Sequence, residues 1–161
     1  MLHHASFAVD DPAVVAGVLA GLLGATLVRA PVPPFPEGAW FVCFGDEAGS
    51  YLEVLPRGHV FDPDARGPRP DADAPRLTAA HLLVSTPLAT EQVMRMAERA
   101  GWKAEVADTR LFRVVKVWHE NAVLLELLPP EMAPAYRRTF DAMGVADLDR
   151  RLRRLEAGEA P

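Results

Sequence analysis

His4-Ala-Ser-Phe-Ala-Val9 and, further along, His81-Leu-Leu-Val84 decide the fold, because the chain writes the same pattern at both places. His81 follows His4 by 77 residues, and the glycines that stop the next helical stretch, Gly24 and Gly101, are also 77 apart. Each half closes on an apolar strand holding one carboxylate, Tyr51-Leu-Glu53-Val-Leu55 and Val123-Leu-Leu-Glu126-Leu-Leu128. Glu126 follows Glu53 by 73, so the first half carries four extra residues (77 against 73). The spacing predicts them in Pro31-Val-Pro-Pro-Phe-Pro36. A repeated histidine-and-glutamate pattern on a repeated scaffold points to one site built from symmetry-related strands.

Working outward, residues 2–9 read as a strand. Asp11 is placed to cap a helix and Pro12 to occupy its first turn, where a missing N–H costs nothing. That helix runs to Leu23, apolar on most sides, and Gly24 ends it. Strands follow over 25–29, 40–44 and 51–55, giving β-α-β-β-β. In the second half, Thr78 to Ser85 reads as a strand and Thr86-Pro87 as a helix start. The helix continues to Ala100, and strands cover 103–106, 111–118 and 122–128 around a turn at His119-Glu-Asn121. The expected class is α+β, with two βαβββ modules (1–57 and 77–130), a Pro-, Asp-, Gly- and Arg-rich linker (58–76) and a helical extension (131–161). The extension reads as two amphipathic segments broken near Gly144, a cap on the domain or a dimer contact.

The chain has 161 residues, half of them hydrophobic, enough for one domain with a real core. A net charge of −5 with scattered Lys and Arg speaks against a nucleic-acid surface; only Arg150-Arg-Leu-Arg-Arg154 is locally basic. One cysteine, Cys43, permits no internal disulfide and fits a reducing compartment. No 18-residue apolar run is present to span a membrane, and no signal-type core opens the chain. The expectation is a cytoplasmic protein without a membrane or nucleic-acid partner.

In a strand, alternate residues share a face. Glu53 therefore lies among Tyr51 and Leu55, and Glu126 among Leu124 and Leu128. A carboxylate in such company is costly unless it is paired, hydrogen-bonded or bound to a cation. With His4 and His81 at matching places, the set offers two imidazoles and two carboxylates. Those donors suit Zn, Ni, Mn, Co or Fe(II). His3 points to the opposite face from His4. His59 in the linker and His119 in its turn read as solvated. Cys43 reads as a buried, inert thiol, because no basic neighbour lowers its pKa. Trp40, Phe44, Phe112 and Trp118 read as core, with an aromatic cup lining as the other reading.

On these residues the chain resembles the vicinal oxygen chelate superfamily, which includes glyoxalase I, extradiol dioxygenases, fosfomycin-resistance enzymes and bleomycin-binding proteins. The likeness covers residues 2–129. His4-Ala-Ser-Phe-Ala-Val-Asp-Asp-Pro12 looks like the family's first strand and helix start, and the two glutamate strands look like its ligand-bearing closing strands. The resemblance implies a cup-shaped mixed sheet holding a divalent metal on His4, Glu53, His81 and Glu126, closest in pattern to glyoxalase I. It implies lyase or isomerase chemistry on a small substrate with adjacent oxygens, with Glu126 or Glu53 moving a proton. A homodimer is implied too, and the linker permits the halves to be exchanged between chains or kept within one. A metal-free drug- or metabolite-binding protein of the bleomycin-resistance type and an Fe(II) extradiol-type dioxygenase are the alternatives. Where glyoxalase I carries a glutathione-holding arginine, four residues after its histidine, this chain has Ala8, so glutathione does not carry over.

Overall fold

The computed structural model describes residues 3–61, 63–64 and 68–158. β1 (His4–Val9) leads into α1 (Pro12–Leu23). The Asp11 carboxylate accepts from the Val14 N–H at 3.1 Å, Pro12 sits in the first turn, and Gly24 closes the helix in the left-handed conformation at φ 63°. β2 (Thr26–Arg29), β3 (Trp40–Cys43) and β4 (Tyr51–Pro56) complete a sheet of order β1-β4-β3-β2. β1 lies parallel to β4, and the other pairings are antiparallel.

The second half repeats this. β7 (Leu82–Ser85), α2 (Thr90–Arg99), β8 (Lys103–Asp108), β9 (Arg113–His119) and β10 (Val123–Leu128) form a sheet of order β7-β10-β9-β8, again with the first strand parallel to the last. The linker contributes a two-stranded ribbon that the sequence reading did not foresee, β5 (His59–Val60) with β6 (Arg69–Pro70). The fold is therefore α+β, two four-stranded mixed sheets with helices, as expected.

The extra residues of the first half are not where the spacing put them. Thr26 pairs with Cys43 and its counterpart Lys103 with Trp118, so the offset has already fallen from 77 to 75 at the third strand. Cys43 pairs with Tyr51 and Trp118 with Leu124, an offset of 73 at the fourth. Two residues enter before β3 and two in the turn after it; the proline segment takes only half.

Three further expectations change. The strand over 78–85 shrinks to β7, and α2 starts at Thr90 rather than after Thr86. The Thr86 hydroxyl donates to the Leu22 carbonyl and accepts from the Leu88 N–H at 3.1 Å, which folds 86–89 into a turn. The Glu131 carboxylate then takes the Thr90 N–H at 2.8 Å. In the extension, the break falls at Asp141, between α3 (Ala133–Phe140) and α4 (Ala142–Glu156). Gly144 lies inside α4, where a Cβ would stand 2.1 Å from the Arg138 carbonyl oxygen; the close approach of the two helices requires the glycine. Finally, His119 is not solvated. It ends β9 and is 1% exposed.

One core joins the halves. Val9, Leu19, Leu22, Val42 and Val54 of the first pack in the same cluster as Val93, Val115, Val117, Leu125 and Leu127 of the second. α1 meets α2 so closely that a Cβ on Gly21 would stand 2.8 Å from the Met96 methyl. Tyr136 and Phe140 of α3 pack edge-on against Phe112, at 5.0 and 5.6 Å between ring centroids, which seats the extension on the second module. Among the described residues no helix is long and apolar enough to cross a membrane.

Candidate functional site

Alternation along β1 sends Ala5, Phe7 and Val9 toward the core and leaves His4, Ser6 and Ala8 on the other face. The parallel register sets Ser6 opposite Glu53 and His4 opposite Tyr51. His4 stacks on the Tyr51 ring, with centroids 5.0 Å apart and an interplanar angle of 22°. Glu53 is 4% exposed. Among the described residues its partners are two hydroxyls, Ser6 in a short hydrogen bond and Tyr51 at 3.3 Å. Burial, and then the Glu53 charge, hold the Tyr51 phenol above its ordinary pKa. Pro34 and Phe35 of the proline segment and Phe61 and Pro68 of the linker wall a cavity of about 370 Å³ with His4, Ser6 and Glu53. The proline segment and the linker thus wall the pocket that holds the first half's pair.

In the second half, Leu83 is the strand partner of Glu126. His81 stands two residues earlier, just ahead of β7, with its Nδ1 3.2 Å from the Ala79 carbonyl oxygen. Its Nε2 lies 3.9 Å from Glu126 Oε2, with side-chain exposures of 49% and 16%. The structure brings His81 and Glu126 together, and it sets His4 and Glu53 around one cavity. Among the described residues no three His, Cys, Asp or Glu side chains gather into a set that could hold a metal ion.

Between the open edges of the two sheets runs a second cavity, about 350 Å³. Ala5–Ala8 form one side; Thr78, Ala80–Leu82 and Val123–Leu125 form the other; Arg57, Pro75, Arg76 and His119 complete it. The arginines stand in an ion-pair network. Arg57 bonds Asp10 and reaches Glu120 at 3.4 Å, while Arg76 reaches Asp10 at 3.0 Å. The hydrogen bond from Arg57 holds the Asp10 carboxyl below its usual pKa. Glu120, in a left-handed turn at φ 51°, accepts the backbone N–H groups of both Asp10 and Asp11 at 2.6 Å.

His119 is the residue that the sequence reading missed. Phe7 lies 4.8 Å from its ring and Trp102 6.0 Å. Among the described residues its buried Nδ1 has no hydrogen-bond partner. Burial, and then the Arg57 charge, push its pKa down to about 4, so the ring is neutral at pH 7. A signal was present in the sequence: Val115, Val117 and His119 keep a period of two, which puts the histidine on the apolar face of its strand.

No family model matches the sequence, and no curated protein matches it. Solved structures do match over nearly their whole length. The genomically encoded fosfomycin resistance protein FosX from Listeria monocytogenes superposes with a TM-score of 0.55 at 11% identity, over 86% of this chain and 97% of that one. An integron cassette protein from the mobile metagenome of V. cholerae gives 0.50 at 18%, over 81% and 94%. TioX from Micromonospora sp. ML1 gives 0.51 at 19%, over 79% and 96%. The chain has the vicinal oxygen chelate fold.

Proposed function

We propose that this protein is a metal-dependent enzyme of the glyoxalase type, a lyase or isomerase for a small substrate with two adjacent oxygens, with His4, Glu53, His81 and Glu126 as the metal ligands. The register carries the reading. In each half the histidine stands two residues ahead of the strand partner of its own glutamate, Ser6 for Glu53 and Leu83 for Glu126. Two imidazoles and two carboxylates suit Zn, Ni, Co, Mn or Fe. The Listeria FosX protein has been crystallised with Mn(II), which makes manganese one ion to try. Glu53, buried and among the described residues partnered only by hydroxyls, is a carboxylate that a cation would satisfy.

The donor chemistry therefore fits, while a single chain keeps the two pairs apart. A homodimer in which one chain's first half faces the other's second half completes the set in this reading. The bound ion supplies Lewis acidity toward the two substrate oxygens. Glu126, more open than Glu53 and without hydroxyl partners among the described residues, takes a proton from one carbon and returns it to the next. Glu53 is held in place by Ser6 and Tyr51.

The test is elemental analysis of untagged protein beside a His81→Ala, Glu126→Gln double variant, with the mass in solution measured on each. A stoichiometric transition metal in the parent, lost in the variant, supports the reading. Absence of metal from both, with none taken up from a supplied mixture, retires it. The second reading is then a metal-free small-molecule-binding protein. The largely apolar seam cavity of about 350 Å³, within the size range of ligand pockets, favours it.

A further inference from the structure

The seam cavity is distinct from the pocket over His4 and Glu53, and its chemistry is of another kind. Ala5, Phe7, Ala80, Leu82, Val123 and Leu125 give it apolar walls. Its charged groups are already matched: the two guanidinium groups of Arg57 and Arg76 stand against the carboxylates of Asp10 and Glu120. An anionic guest would have to displace one of those carboxylates, so the cavity favours an uncharged molecule. Among the described residues the polar group left over is His119, which lines the cavity and whose buried Nδ1 has no hydrogen-bond partner. Buried polar groups in folded proteins are almost always hydrogen-bonded, so an orphan in a cavity wall marks a place where something else supplies the bond.

We propose that the seam cavity binds a small, uncharged, largely apolar molecule bearing a hydroxyl group, a phenol or a cyclic alcohol, with His119 as its hydrogen-bonding handle. A hydroxyl both donates and accepts, so it satisfies a neutral imidazole in either tautomer. Either ring edge can serve, because a half-turn of the imidazole exchanges them. Phe7, which lines the cavity and packs against the same imidazole, offers a ring to an aromatic guest. The site needs no metal, so it stands or falls separately from the proposed ligand set, with which it shares only His81.

The test uses the full chain in the presence of a chelator and then again with added Mn(II). Phenol, cyclohexanol, benzene and benzoate are titrated while the ring-nitrogen NMR signals of His119 are followed. Phenol and cyclohexanol are expected to bind and to move those signals, phenol about tenfold more tightly than benzene, as one hydrogen bond allows. In His119→Phe, the preference for phenol over benzene should vanish while benzene binding stays. Equal affinity for phenol and benzene in the parent overturns the proposal. So does tighter binding of benzoate, or saturation by none of the four, which leaves only water at His119. Should His119→Phe fail to fold, the phenol-to-benzene ratio in the parent decides alone. A chelator-insensitive preference for phenol alongside a negative metal analysis would retire the proposed metal site and keep this one.

Discussion

The two halves share a strand order and a register, yet they treat their carboxylates differently. Beside Glu53 stand Ser6 and Tyr51, two hydroxyls that bond it. At the matching places beside Glu126 stand Leu83 and Leu124, which offer it nothing. The first carboxylate is buried beneath the proline segment and the linker; the second faces His81 on a more open surface. The contrast shows that backbone symmetry fixes where a functional group stands, while neighbours and loops decide what it can do. A carboxylate already holding two hydroxyl protons is a poor carrier of a third, and one whose neighbour is an imidazole is a better one.

Four experiments can break or sharpen that contrast. The largest effect is expected at Glu126: once a substrate is found, Glu126→Gln should lower kcat by about 10²–10⁴-fold, the usual range for a lost proton carrier. Glu53→Gln should act chiefly through metal affinity. Equal losses of kcat in the two variants would erase the proposed division of labour.

Next comes the position where the second half holds His119 and the first holds Phe44. Folded His119 titrates at about 4 and unfolded His near 6.5, so the unfolded chain binds the proton first as pH falls. Stability should therefore be flat above pH 6.5 and decline by roughly 3 kcal/mol between there and pH 4. Below about 4 the depressed carboxyls of Asp10 and Glu131 add their own losses. His119→Phe, which copies the first half, should flatten the curve from 6.5 to 4 in urea titrations. A variant with an unchanged acid slope would show that another group carries it.

Glu120 reaches across to the other half, whereas in the matching turn after β3 Asp46 accepts the Ser50 N–H of its own loop at 2.8 Å. Removing its carboxylate in Glu120→Ala strips two backbone N–H groups and Arg57 of a charged acceptor, and about 2–3 kcal/mol should be lost from the denaturant midpoint. Smallest is Ser6→Ala. It takes one hydroxyl from Glu53 and makes the first half resemble the second, at a cost of about 1–2 kcal/mol in the same assay. A stability gain there would mean that the hydroxyl bond counts for little.

The repeat was legible because its markers are local and strong. A helix-ending glycine and an apolar strand with one carboxylate each keep their identity wherever the chain places them, and Gly24 and Gly101 both adopt positive φ. The division of the four extra residues was not legible, since loops have no period and only the strand pairing shows that two of them lie after β3. The matched places of the His–Glu pairs were readable from numbering alone. Their neighbours were not, because a parallel pairing such as Ser6 with Glu53 is set by the crossover and not by a local turn. His119 was misread from the polar company of Glu120 and Asn121, which hid the apolar alternation of β9 behind it. The seam cavity belongs to no single segment, and nothing in one stretch of sequence could announce it.

Glu120 bears on how the molecule could be divided. Its carboxylate, at the tip of the second half, completes the corner where the first half turns from strand into helix. The interior, too, is shared across the repeat. A cut in the linker would leave a first fragment with bare amides at that corner and half of its apolar face open to water. The fragments should therefore be insoluble or unfolded alone and regain structure only when mixed, and the intact chain should melt in one transition rather than two. Two halves with one strand order are thereby expected to behave as a single cooperative unit.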